Sequence, residues 1–355
     1  METEGVKSIV PLDALFMVDK LPFKMTVATM LKAAYWAQNQ GSYQMAEDVI
    51  ADVLKISIND DTIRAIVNYV GGIVFQDDCR RADESYSLFT AGKLPYPKDK
   101  SGTLYIQTDG AALNTRHKNA DNSTWRENKL GVVFSSDNIR SWTDKHGVKQ
   151  HKIQQREYVS YLGSVVEFKK HLLSCAIKNG YGAYKKTVII ADGATWIRNI
   201  RNELFPDAVQ ILDYYHLCEN VHTFAKYLFN MNELKYKPWA DDICKALKKS
   251  RSDTVLNEIL AFKDKKPNGC HVNLYGYIEN NLDSIDYAKY QKLGYFIGSG
   301  AIESGNKIIL QRRLKQAGMR WNNDSAQALL SLVSKQESGL WGADVVRAII
   351  DFHLH

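Results

Sequence analysis

Residues 187–216, TVIIADGATWIRNIRNELFPDAVQILDYYH, restrict the fold more than any other part of the chain. They open on Val188-Ile189-Ile190-Ala191, an apolar, largely β-branched run that suits a strand buried on both faces, and the run halts at Asp192-Gly193. Trp196, Ile197, Ile200 and Leu204 then recur at helical spacing as far as Phe205-Pro206-Asp207, after which Val209-Gln210-Ile211-Leu212 reads as a second buried strand ending at Asp213. The unit is strand-helix-strand, with an acid at the carboxyl end of each strand. Open α/β sheets collect ligands at that edge, so both acids are candidate site residues.

The same strand-then-Asp-Gly arrangement occurs upstream. Residues 103–108, TLYIQT, read as a strand that stops at Asp109-Gly110; residues 129–135 and 156–163 read as two more, joined by a polar connection. An amphipathic helix over 165–179 then feeds the strand at Val188, which makes the order β-β-β-α-β-α-β-α. Three strands with short connections form an antiparallel meander, and the crossover helix returns the chain so that the fourth strand lies parallel to the first and beside it. Asp109 and Asp192, about 80 residues apart in sequence, are thereby expected within a few ångströms of each other, as groups sharing divalent cations must be.

Both flanks read as helical. Residues 1–24 are a lead-in punctuated by Pro11 and Pro22, and helical patterning runs from Met25 to Val74. Within it, Ala46, Val49, Ile50 and Val53 share one helix face, Ile56-Ser57-Ile58-Asn59 make a turn, and Asp60-Asp61-Thr62 cap a helix carrying Ile63, Ile66 and Val67, as in a helix-turn-helix. The acids Glu47, Asp48, Asp52, Asp60 and Asp61 outnumber Lys55 and Arg64 there, which is awkward beside phosphates, so a three-helix bundle used for packing or dimer contacts is the competing reading. Periodicity is lost over 78–102, which holds Pro95, Pro97 and Gly102 and reads as a linker. Beyond His216 four helical stretches suggest an all-helical insertion over 219–294. The Gly298-Ser299-Gly300 turn then leads into a helix with Ile302, Ile308, Ile309 and Leu314 inward and Glu303 in its first turn, where the helix dipole favours a carboxylate. The divisions read from this pattern are 1–77, 78–102, 103–218, 219–294 and 295–355.

A chain of 355 residues is long enough for two to three domains around one sizeable core. A formal charge of +6 and a pI near 8.8 permit a polyanionic partner without requiring one. Five scattered cysteines with no CxxC pair argue against a disulfide framework and a zinc ribbon, and point to a reducing cytoplasm. Neither a signal-peptide pattern nor an apolar run of about 20 residues is present, so no membrane association is expected.

Taken in order, the motifs resemble a known family: DGATW from Asp192, FPDAVQILDYYH from Phe205 and GSGAIESGNKIILQRRLKQAGMRW from Gly298. With the meander and the late Glu, they are similar to the ribonuclease H-like catalytic domain of DDE transposases, and in wording closer to bacterial insertion-sequence transposases related to the Mutator-like group. The resemblance covers about residues 100–345. It implies an α/β fold: a ribonuclease H-like mixed sheet, a three-stranded meander plus parallel strands, with an all-helical insertion and an all-helical N-terminal domain. It implies Asp109, Asp192 and Glu303 as catalytic triad and metal ligands, and matches Asp213 and His216 to the D/C-x-x-H motif of Mutator-like enzymes. The activity implied is metal-dependent cleavage and strand transfer at the ends of an insertion sequence.

Such chemistry uses two Mg²⁺ ions, with Mn²⁺ able to substitute, roughly 3.5–4 Å apart and held by hard oxygen ligands. Asp109 would bridge both, with Asp192 on one and Glu303 on the other. Glu219 and Glu279 compete for the third position, and the GSG-IES context favours Glu303. His216 either contacts the scissile phosphate or leaving oxygen, or caps its helix and orients Asp213. The cluster His216, Cys218 and His222 has one thiol among imidazoles on different helix faces, a poor zinc site. Lys307, Arg312, Arg313, Lys315 and Arg320 form the most basic stretch near these acids and would guide DNA, with Trp321 stacking on an unpaired base. Arg64, on the candidate recognition helix, would read base edges. Expected partners are duplex DNA with terminal inverted repeats, target DNA and further copies of the chain, in a bacterial cytoplasm and on the nucleoid when bound. The alternatives are a ribonuclease H-like nuclease without joining activity, and a non-catalytic DNA-binding descendant of a transposase.

Overall fold

The computed structural model describes residues 18, 21–93, 100–119 and 122–354. Among these residues seven strands follow in chain order: β1 (Lys100–Asn114), β2 (Trp125–Ser135), β3 (Ile139–Thr143), β4 (Lys149–Ile153), β5 (Glu157–Leu162), β6 (Tyr184–Ala191) and β7 (Val209–Leu212). Five of them form one mixed sheet in the order β5-β2-β1-β6-β7, while β3 and β4 pair only with each other. Strand β2 is antiparallel to β1 and β5, and β6 is parallel to β1 and β7. The expected adjacency of the first strand and the strand at Val188 is therefore present, with Gln107 opposite Ile190.

Alternation along the central strands divides them between two apolar layers, which is why their sequences are apolar throughout. Leu104, Ile106, Val133 and Ile189 face α4 (Val165–Lys178) and α5 (Thr195–Leu204), meeting Phe168, Leu172, Ile197 and Ile200. Tyr105, Val132, Phe134, Val188 and Ile190 face the other way, into a core continuous with most of the remaining helices.

Those helices begin with α1 (Val27–Asn39), α2 (Tyr43–Leu54) and α3 (Asp60–Thr90), whose N-caps are Thr26, Ser42 and Asn59. Ile63, Ile66, Val67 and Val70 are fully buried in the same core as Leu329 and Leu330 of α12 (Asn323–Glu337). Gly71 is required at that crossing, because an added Cβ would run into the Ala328 carbonyl. The expected linker over 78–102 is helical as far as Thr90 and strand from Lys100; residues 94–99, with Pro95 and Pro97, lie outside the described residues. Apolar periodicity thins there because few apolar residues, Ala82, Tyr86 and Phe89, pack that part of α3, among charged neighbours such as Arg80 paired to Asp77 and Glu84, and Arg81 to Asp77 and Asp78.

Two strand expectations also change. Strand β1 does not stop at Asp109-Gly110 but stays paired to Asn114, because β2 extends back to Trp125 and keeps supplying hydrogen-bond partners. The polar connection before β5 contains the β3–β4 hairpin, whose mostly exposed residues have no apolar alternation to betray it.

After β7 the chain is helical: α6 (Tyr214–Leu228), α7 (Glu233–Lys248), α8 (Ser252–Glu258), α9 (Leu274–Glu279) and α10 (Tyr287–Lys292). The two ends of this excursion meet where the Tyr214 N–H donates to the Ile297 carbonyl at 2.9 Å. Helix α11 (Gly300–Gly305) follows and passes into a π-helical stretch, Asn306–Gln311, then Arg312–Leu314. The chain closes on α12, a second π stretch (Trp341–Val346) and α13 (Arg347–Leu354). The five cysteines are free, and no helix among the described residues is long and apolar enough to cross a membrane.

Candidate active site

Asp109 and Asp192 each lie two residues beyond the paired Gln107 and Ile190, so adjacent parallel strands bring them to the same level of the sheet. Glu303 comes from the first turn of α11. All three line a single cleft of about 570 Å³ with Asp213, His216 and Glu219. Its lining holds five carboxylates and one imidazole, with no Lys or Arg.

Each acid is held differently. Asp109 accepts from its own Gly110 N–H at 2.7 Å and from the Asn306 amide at 2.6 Å. Burial raises its pKa above the ordinary carboxylate value and the Asp192 charge adds to the rise, while the Gly110 N–H, His216 and Asn306 oppose it. Asp192 accepts from the Ala194 N–H at 2.9 Å, and its carbonyl accepts from the Tyr277 hydroxyl at 2.6 Å, a contact from the helical excursion. Glu303 is exposed and accepts from the Ser299 hydroxyl at 3.4 Å.

As the side chains stand, no three His, Cys, Asp or Glu among the described residues converge tightly enough to hold one ion. The donor set nevertheless fits a hard divalent cation: several carboxylates, one already raised by burial and a like charge, share a cleft to which the protein contributes no Lys or Arg. Glu303 and Glu219 are the exposed acids of the lining.

Asp213 is 2% exposed and acts as a clasp. It caps α6 by accepting from the Tyr215 and His216 N–H groups at 2.7 and 3.3 Å, and it also accepts from the Ser299 N–H at 3.1 Å and from the Ser299 hydroxyl. The end of β7 is thus tied to the turn that launches α11. His216 does not cap the helix; its imidazole faces the cleft, with Nδ1 3.7 Å from the Glu219 carboxylate. Glu219 remains a cleft residue, whereas Glu279 is not in the lining. His222 faces Asp241 at 3.3 Å and Cys218 packs toward Cys244 and Tyr214, so these side chains and that of His216 turn to different partners.

The basic stretch separates into two groups. Lys307, Arg312, Lys315 and Arg320 are exposed. Arg313 is 2% exposed, donating to the Ala37 and Gly41 carbonyls at 3.4 and 3.2 Å, with Tyr43 and Trp321 stacked on its guanidinium at 4.6 and 5.5 Å. Trp321 is 8% exposed and donates to the Leu314 carbonyl. The expectations that Arg313 binds phosphate and Trp321 stacks on a base are corrected: both fasten the N-terminal helices to the Arg312–Leu314 segment beyond α11, because α1 and α2 cover that face. Arg64 is exposed at the start of α3 and paired with Asp61 at 2.8 Å.

Three further residues that position the cleft were not singled out as candidates, although Ser299 and Asn306 lie within the motif that starts at Gly298. Gln107 holds the α11 turn from β1, accepting from the Ile302 N–H at 3.1 Å and donating to the Gly298 carbonyl at 3.4 Å. Ser299 meets Asp213 and Glu303, and Asn306 orients Asp109. Gln107 is the one polar residue directly after the apolar Leu104-Tyr105-Ile106, and Asn306 lies one turn after Glu303 on the same helix face; those were the available signals. The π-helical stretch starts at Asn306, as such distortions often do beside functional sites.

Sheet and cleft together define the class: an α/β protein with a five-stranded mixed sheet whose central parallel strands deliver acids into an anionic cleft. The chain belongs to the Uncharacterised protein family (UPF0236), whose family model matches residues 93–347. That span includes Asp109, Asp192, Asp213 and Glu303. No curated protein matches the chain.

Proposed function

We propose that this protein is a DDE-type DNA transposase on a ribonuclease H-like sheet, cleaving and joining DNA at the ends of an insertion sequence. The observation that carries the reading is the cleft shared by Asp109, Asp192 and Glu303, with five carboxylates and no Lys or Arg. The strand order supports it: an antiparallel meander on one side of β1 and parallel crossover strands on the other.

Asp109, Asp192 and Glu303 would hold divalent cations, Mg²⁺ or Mn²⁺, with Glu219 close by on α6. Bound cations would supply Lewis-acid stabilisation to the attacking and leaving oxygens of the phosphodiester, the chemistry that oxygen-rich sites provide. The protein's own groups do the positioning. Asn306 fixes the Asp109 carboxylate, while Gln107 and Asp213 fix the turn from which Glu303 projects. His216, at the cleft wall, is placed to hydrogen-bond a phosphate oxygen. Lys307, Arg312, Lys315 and Arg320 offer an exposed cationic surface on and just after the helix that carries Glu303, suited to backbone phosphates.

The test is incubation of the full chain with end-labelled duplexes carrying the inverted repeats that flank its gene, in Mg²⁺ and in Mn²⁺. Cleavage at the repeat terminus and joining of the freed 3′ end to a second duplex, both lost in Asp192→Asn, support the reading. Cleavage that never yields a joined product makes the protein a nuclease. Binding without cleavage in either metal overturns the catalytic reading altogether.

A further inference from the structure

The β3–β4 hairpin stands apart from the main sheet, and the candidate active site makes no use of it. Its register sets Ile139 opposite Ile153, Arg140 opposite Lys152, Ser141 opposite His151 and Trp142 opposite Gln150. Facing residues share a side of a ribbon, and sides alternate along each strand. One side carries Ile139, Ser141, His151 and Ile153; both isoleucines pack against the core, and the His151 ring meets Phe296 edge-on at 5.4 Å. The other side carries Arg140, Trp142, Gln150 and Lys152 and faces outward, with Trp142 44% exposed and both cations exposed.

That outward side is electrostatically unbalanced. Arg140 and Lys152 sit directly across from each other, an arrangement in which like charges destabilise a ribbon, and neither is in an ion pair among the described residues. The hairpin holds Arg140, Lys145, Lys149 and Lys152 against Asp144 alone. Asp144 is engaged in building the turn, accepting from the His146 and Val148 N–H groups and the Gln150 amide at 2.9 Å each. A two-stranded ribbon has little stability to spare, so a repelling pair beside an exposed indole is explained by a ligand rather than by folding.

We propose that the outward side of the β3–β4 ribbon docks duplex DNA, seating Arg140 and Lys152 on backbone phosphates with Trp142 beside them on the same face. A two-stranded ribbon fits the B-DNA major groove, about 12 Å wide, and phosphate contacts made by Arg and Lys release condensed counterions. A second copy of the chain is the poorer occupant, because a two-fold interface would set the same cations against each other. Choosing DNA among polyanions rests on the function proposed above. The ribbon emerges just after Ser135, five residues along β2 from Leu130, the partner of Asp109. At about 3.3 Å per residue that is roughly 17 Å along the strand, so the ribbon adds a grip on the duplex separate from the cleft.

The experiment titrates the full chain, without divalent metal, into a labelled duplex of about 30 base pairs and arbitrary sequence, at several salt concentrations. Wild type is compared with Arg140→Ala/Lys152→Ala. The double variant is expected to bind about tenfold more weakly and to lose about 1.8 from the slope of log affinity against log salt, some 0.9 per phosphate. Its melting temperature should equal or exceed that of wild type. An unchanged affinity and slope in the double variant overturns the ribbon proposal while leaving cleavage by wild type to stand or fall separately. A wild-type dimer that the double variant converts to monomer, with DNA binding unaltered, overturns it in favour of a second copy. Failure of wild type to bind any duplex overturns both proposals; binding through the ribbon without cleavage at any element end overturns the transposase reading only.

Discussion

The Asn306 amide donates to the Asp109 carboxylate at 2.6 Å, so the helix that carries Glu303 also holds the acid of the central strand. Two residues nearly 200 positions apart thereby join β1 to the start of the π-helical stretch beyond α11. A displacement of α11 would move Glu303 and disturb Asp109 together, which makes the cleft a single unit rather than three independent acids.

Neutralising Asp109 should separate stability from activity. Burial raises the Asp109 pKa, so the folded state binds its proton more tightly than the unfolded chain does; stability falls as pH rises from the unfolded value near 3.9 through the raised folded value, and stays lower above it. Asp109→Asn is therefore expected to melt about 1–3 °C higher than wild type at neutral pH, while losing cleavage. Added Mg²⁺ should raise the melting temperature of wild type and leave that of Asp109→Asn almost unmoved. A variant that melts lower and still responds to Mg²⁺ would remove Asp109 from the cation site.

Asp213 should behave as a positioning residue. Asp213→Ala removes the α6 cap and the tie to Ser299 at one stroke, so cleavage is expected to fall about 10- to 100-fold as Glu303 and His216 lose their placement. Duplex affinity measured without metal should stay within about twofold. A matching drop in affinity would mean that Asp213 serves the DNA-binding surface and not the geometry of the cleft.

Arg312 and Arg313 are neighbours with opposite environments, and single substitutions should tell them apart. Arg313→Ala empties a buried site between Tyr43 and Trp321 and frees two carbonyls, for an expected loss of about 2–4 kcal/mol in denaturant unfolding. Lys at that position should not restore it, since an ammonium cannot reproduce the planar stack. Arg312→Ala together with Lys315→Ala should leave stability within about 0.5 kcal/mol and weaken binding to all duplexes alike. The slope of log affinity against log salt should flatten by about 0.9 for each phosphate that the variant no longer neutralises.

The junction between α3 and the C-terminal helices predicts the acid limit of the protein. Burial pushes the Asp344 carboxyl up, but Lys335 and Lys178 prevail and hold it below its ordinary value; at Asp77 burial is likewise overcome, by Arg80, Arg81 and Arg347. A lowered carboxylate contributes stability that is present above about 3.9 and lost as pH falls through the folded value, so acid unfolding should begin there. Asp344→Asn leaves Lys335 buried with Asp78 as its remaining partner, costing about 3 kcal/mol at neutral pH and making unfolding less steep in acid. Circular dichroism melts from about pH 3 to 7 would test the sign.

The parts legible without coordinates were those dictated by short-range rules. Val188–Ala191 and Val209–Leu212 had to be strands because each run is apolar and bounded by Asp, and the helix between them required parallel pairing. The adjacency of the first strand and β6 followed from that crossover, and with it the presence of Asp109 and Asp192 in one cleft. The Glu303 helix announced itself through its glycine-flanked start. What stayed hidden depends on partners distant in sequence. The pairing of β1 past Asp109 is decided by how far β2 runs back, and the helical course of residues 78–90 by the packing of Ala82, Tyr86 and Phe89, too few to set an apolar period. Arg313 and Trp321 read as surface groups because a basic helix face looks the same whether water or another helix covers it. Only the packing of α1 and α2 against that face turns one arginine into a buried clamp and leaves Arg312 in solvent, since burial is a property of what comes to lie against a residue and not of the residue itself.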